Sequence, residues 1–160
     1  MSKMNTLQFA LTLFKKASQA LGIKFVKTTA PRLEMYAQSN TPPFLALVGL
    51  NENLSRTVVN KLNTYDLAFV LVLEMDVDPS NDKLNEVHGE ASDLAARFVN
   101  MVEKNHFADT DNVLLEDVYR LGTFAGIGKT FTMSLTLPDS TDYCQDDCKI
   151  STVNIGCDEE

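Results

Sequence analysis

Long hydrophobic runs are scarce in this 160-residue chain, and nowhere do apolar residues approach the roughly 18 in succession that a membrane span needs. The longest candidate, Leu67 to Leu73, reads LAFVLVL and fits a buried strand instead. No apolar run near the N-terminus suits a signal peptide, because Lys15 and Lys16 follow a segment broken by Gln8 and Thr12. Glycine and proline are few, seven and five, which excludes collagenous and disordered low-complexity classes. Cysteine is rare and odd in number: Cys144, Cys148 and Cys157 all fall near the C-terminal end, so a disulfide scaffold is not expected. A reducing cytoplasm is the expected site of synthesis. Cations are the minority charge, 14 Lys plus Arg against 22 Asp plus Glu, for a formal net charge of −8. Such a chain repels nucleic acid unless its cations are segregated. Lys15, Lys16, Lys24, Lys27 and Arg32 form the one positively weighted region, without a nucleic-acid motif, and read as a solvated face.

What is present is enough for one domain. With 44% hydrophobic and 22% charged residues, a chain of this size buries a core that needs neither metal nor disulfide. The expected division is a single α+β domain over 1–138 and an acidic tail over 139–160, rich in Asp139, Asp142, Asp146, Asp147, Asp158, Glu159 and Glu160. Leu7, Ala10, Leu11, Phe14, Ala17 and Leu21 recur at helical spacing and predict an amphipathic helix over Thr6 to Leu21, ended by Gly22. Phe25, Leu33, Met35 and Ala37 hint at strands around Pro31, and Thr41-Pro42-Pro43 cannot lie in a central strand. Phe44 to Leu50 predicts a short strand, Asn51 to Ser55 a polar break, and Arg56 to Leu62 a resumption before a turn at Asn63-Thr64. Tyr65 to Met75 is apolar on both faces in its middle. It should therefore be a central strand covered on both sides, by the protein's own helices and by another subunit. Asp78 as N-cap and Pro79 at the first helical position open a long helix to about Lys104, with Leu84, Val87, Ala91, Leu94, Phe98 and Met101 as its stripe and Ala95 and Ala96 close to the sheet. Asn112 to Leu121 and Lys129 to Leu137 complete a hairpin through Gly122 to Gly128. Phe131, Met133, Leu135 and Leu137 take one face, and Thr130, Thr132, Ser134 and Thr136 the other.

Three patterns imitate chemistry. Gly126-Ile127-Gly128-Lys129-Thr130 resembles a phosphate loop, but its first glycine should stand at Thr123, and an alternating strand follows where a helix should open. Asp76, Asp78 and Ser80 resemble a calcium loop that lacks its glycine, since Asn81 stands there, and its bidentate glutamate, since Val87 does. The cysteines space as C-x3-C-x8-C without a fourth zinc ligand. His88 and His106 have no nucleophile near them in sequence and read as structural. No catalytic, cofactor-binding or metal residue is therefore expected, and the protein is expected not to be an enzyme.

The order of elements carries a resemblance. The helix at Thr6 to Leu21, the strand at Tyr65 to Met75, the long helix at Pro79 to Lys104 and the hairpin at Asn112 to Leu137 make an α-β-β-β-α-β layout with one mainly antiparallel sheet. This layout resembles the tail terminator, or tail-completion, proteins of tailed bacteriophages and related neck-ring components. The resemblance implies a non-enzymatic subunit of a homo-oligomeric ring, hexamer or dodecamer, seated in the virion between portal or connector and tail proteins, with DNA passing through. A six-subunit ring would carry about −48 formally, six times −8, which keeps DNA from adhering. Subunit contacts are expected from Phe44, Asn51, Arg56 and Tyr143, and from the tail after Pro138. The rival expectation is a small cytosolic α+β ligand-binding or enzyme domain that uses the Thr130–Thr136 face.

Overall fold

The structure, a computed structural model, describes residues 3–105, 109–139 and 143–144. It is an α+β fold: a five-stranded, mainly antiparallel sheet with two helices on one face and a third helix on part of the other. In chain order the elements are β1 (Lys3–Met4), α1 (Thr6–Ala20), β2 (Lys24–Lys27), α2 (Ala30–Ser39), β3 (Phe44–Arg56), β4 (Lys61–Met75), α3 (Asn81–Glu103), β5 (Asp109–Val118), β6 (Gly126–Pro138) and β7 (Tyr143–Cys144). The main sheet runs β2-β3-β4-β6-β5, so β4 is central as its two-sided apolarity requires. Only β2 and β3 are parallel, joined across by α2.

Helix α1 starts in a capping box: Asn5 Oδ1 accepts from the Gln8 amide at 2.9 Å and Gln8 Oε1 from the Asn5 amide at 3.0 Å. Its buried stripe includes Phe9 and Leu13 beside Ala10, Phe14 and Ala17, while Leu7, Leu11 and Leu21 flank it half-buried. Helix α3 buries Val87, Ala91, Ala95, Phe98, Val99, Met101 and Val102; Leu94 is partly buried, and Ala96 is exposed rather than set against the sheet. Between these helices and the strands lies an aromatic core. Phe69 stacks on Phe131 with ring centroids 4.8 Å apart and meets Phe14 and Phe98 edge-on at 5.4 and 5.3 Å.

Several sequence expectations are corrected. The segment after β2 contains no strands around Pro31: residues 30–39 form α2, with the proline in its first turn, where its missing N–H costs nothing. Leu33 and Ala37, four apart, bury one stripe of that helix. The other face of the central strand is covered at one end by α2, a helix of the same chain: Leu33 and Ala37 pack with Phe44, Ala46, Val70, Val72 and Phe124. The polar break at Asn51–Ser55 is continuous β3, paired from Asn51↔Asp66 to Arg56↔Lys61. The turn falls at Thr57–Asn60 instead of Asn63-Thr64, closed by the Thr57 amide on the Asn60 carbonyl at 2.8 Å. Ser80, not Asp78, caps α3, accepting from the Lys83 amide at 3.1 Å, while the Asp78 amide donates to Asp76 Oδ1 at 3.0 Å. Strand β5 begins at Asp109, and β6 begins at Gly126, inside the expected hairpin loop. After β6 the Asp139 amide donates to the Lys61 carbonyl at 2.8 Å, and β7 pairs with β1.

Candidate interaction surfaces

Of the four residues expected at subunit contacts, the structure places two inside the fold. Phe44 is fully buried under α2, edge-on to Tyr36 with centroids 5.2 Å apart. Tyr143 is buried and stacks on Phe9 at 4.3 Å. Asn51 and Arg56 are exposed on β3, but Arg56 already has partners: its guanidinium pairs with Asp139 at 3.0 Å and donates to Asn63 Oδ1 at 3.3 Å. Asn63 in turn donates to Glu52 Oε1 at 3.1 Å, and the Tyr65 hydroxyl donates to the same oxygen at 3.2 Å. Burial pushes the Tyr65 hydroxyl up to about 12, with the Glu52 charge adding to the effect and the Asn63 hydrogen bond opposing it. This network fastens the far end of the β3–β4 hairpin. It was not legible in the sequence, because its members are joined only by the register of two strands.

The phosphate-loop pattern and His88 have structural partners. Lys129 stands directly across from Asp117 in the β5–β6 ladder and pairs with it. That hydrogen bond, with the charges of His88 and Lys129, holds the Asp117 carboxyl below the usual range. A Cβ on Gly128 would sit 1.8 Å from the Leu71 carbonyl oxygen, so this glycine serves the close approach of β6 to β4 beside the β4 bulge. His88 lies 3.0 Å by its Nε2 from the Val118 carbonyl oxygen and 3.8 Å by its Nδ1 from Asp117, tying α3 to the edge strand. Among the described residues, no group of three or more His, Cys, Asp or Glu side chains is placed to hold a metal, and no helix is long and apolar enough to cross a membrane. His106, Cys148 and Cys157 lie outside the described residues, as does the tail from 145 to 160. Cys144 is described only by its backbone pairing with Lys3.

Apart from Met35 on α2, the most exposed large apolar side chains sit at the periphery of the sheet. Val58 and Val59 stand fully in solvent at the β3–β4 turn, and Leu114 is 61% exposed on β5. Met75 and Val77 project at the opposite end of β4. On the face that α2 leaves open, Asn51, Asp66, Ala68, Asn112, Thr132 and Ser134 line a shallow cleft of about 290 Å³, floored by a Ser134–Asp66 hydrogen bond of 2.8 Å. No protein-family model matches the chain, and no curated protein matches it. The surfaces themselves must therefore carry the functional reading. The expected Thr130–Thr136 face is real in outline: these side chains point away from the helix-covered core, and Thr64 and Thr136 share a hydroxyl contact of 3.0 Å. The sequence missed the two valines, which read as strand residues when counted by β-propensity alone.

Proposed function

We propose that this chain is a non-enzymatic structural subunit of a tailed-bacteriophage neck or tail ring, a tail terminator or head–tail joining component that oligomerises around the DNA conduit. In this reading it is made in the host cytoplasm, acts in the virion, and takes neighbouring portal, connector or tail proteins as partners. The observation that carries the reading is the placement of exposed apolar side chains at the sheet's rim: Val58 and Val59 at the turn and Leu114 on the edge strand. Such residues gain nothing in water and suit contact with another chain. The element order and the net charge of −8 support it, since a ring of acidic subunits repels the DNA passing through it.

The second reading, a small cytosolic α+β ligand-binding or enzyme domain, draws on the cleft of about 290 Å³ beside Asp66 and Asn112. Sedimentation velocity and negative-stain imaging of the full chain, alone and with the neck proteins encoded beside it, separate the two. Closed rings of six or twelve copies are expected. A protein that stays monomeric with every neck partner present removes the ring.

A further inference from the structure

The two edges of the main sheet carry opposite charge. At one edge β5 offers ten residues paired on one side only, with Asp109, Asp111 and Glu116 exposed around the solvent-facing Leu114. At the other edge β2 is paired only to β3; its exposed Lys24 lines, with Lys15, Phe25 and Tyr36, a cleft of about 490 Å³, and its exposed Lys27 ends the strand. Among the described residues, none of these three lysines and none of those three acids has an ion-pair partner. Open edges invite strand addition, and charge decides which addition is allowed. Pairing β5 with β5 would set acids against acids, and β2 with β2 lysines against lysines. Unlike edges attract.

We propose that the β5 edge of one copy adds to the β2 edge of the next, so that the main sheet continues from subunit to subunit. This rests on the ring reading above and names the contact that builds it. Strand directions agree: β5 runs against β6, β6 against β4, β4 against β3, and β2 runs with β3. A neighbour related by rotation about an axis along the strands therefore presents its β5 antiparallel to β2. Setting Glu116 across from Lys24 places Leu115 against Phe25, Leu114 against Val26 and Val113 against Lys27. Glu116 and Lys24 are then the directly opposed charges, while Lys27 and Asp111 act through the overall charge of their edges. Leu115 and Phe25 both belong to the α1/α3 face of the sheet, and Leu114 and Val26 to the α2 face. Because the two surfaces differ, the contact is head-to-tail, and it closes into a ring when the rotation closes.

Charge reversal tests this. Lys24→Glu with Lys27→Glu makes both edges acidic; Asp111→Lys with Glu116→Lys makes both basic. Each double variant alone, shown folded by circular dichroism, should lose assembly by roughly tenfold or more in concentration. Their equimolar mixture should regain it as alternating oligomers, and the four-residue variant should assemble as the wild type does. Double variants that form rings as readily as a ring-forming wild type overturn the edge contact and leave the ring reading standing. So does a mixture that fails to recover assembly. A wild-type chain that never assembles overturns both.

Discussion

Strands β3, β4 and β6 serve two faces that finish differently. On the α1/α3 face every inward position of β6, from Phe131 through Met133 and Leu135 to Leu137, is buried, and four phenylalanine rings interlock beneath α3. On the opposite face α2 covers only the end at Phe44, Ala46, Val70 and Val72, and the remainder carries Thr64, Asp66, Thr132, Ser134 and Thr136. The boundary is written in β4 itself: Phe69 to Val72 are buried without alternation, whereas Tyr65 to Leu67 alternate buried, exposed, buried. A sheet face is thus covered for as far as its outward residues are apolar, and a ten-residue helix is enough to cover that length.

The comparison can be broken most forcefully from its denser side. Phe98→Ala removes a ring touching Phe14, Phe69 and Phe131 and should cost about 3–5 kcal/mol, read as a lower denaturant midpoint at unchanged slope. Leu33→Ala, which strips α2 of its larger buried anchor, should cost about 2–4 kcal/mol. Hydrogen exchange should then rise in α2 and β2 while α3 keeps its protection. Gly122→Ala attacks the link between α2 and the β5–β6 loop. Gly122 has φ 64°, and a Cβ there would lie 2.4 Å from Glu34 Oε2, where Glu34 accepts from the Thr123 amide at 2.9 Å. A cost of roughly 1–3 kcal/mol is expected. Asp117→Asn should cost no more than about 1 kcal/mol, because the carboxylate is largely solvent-screened. Its folded carboxyl is held low, so its contribution exists above the unfolded value near ~4 and disappears as pH falls through the folded one. The gap between wild type and variant should therefore be flat at neutral pH and close in acid. Thr132→Val on the open face should stay within about 0.5 kcal/mol, since its side chain faces solvent. A large loss there would mean that the face is covered in the protein as assembled.

Sequence periodicity revealed the elements whose burial is continuous: α1, α3, the middle of β4 and the alternation of β6. It failed where burial is partial. Asn51 to Arg56 are all exposed, so nothing in their polarity distinguishes a strand at an uncovered edge from a loop; only their ladder to Lys61–Asp66 does. Helix α2 was obscured by Pro31, a breaker everywhere except the first turn. Phe44 and Tyr143 looked like free anchors beside irregular chain, but α2 and α1 bury them. The contact between Glu34 and Thr123 joins residues 89 apart, and no local pattern could announce it.

The β3–β4 hairpin also sets an order of events in time. Its ladder of partners from Arg56↔Lys61 to Phe44↔Val72 grows from the turn Thr57–Asn60, so each pair forms next to one already made. Strand β6 reaches the other side of β4 only after the excursion from 76 to 125, through α3 and β5, and closing that loop costs roughly 2 kcal/mol more chain entropy than closing the turn. Loop-closure entropy thus favours the hairpin as the early template and β6 as the late arrival, an order that a slower refolding rate on lengthening the 76–125 connection would check.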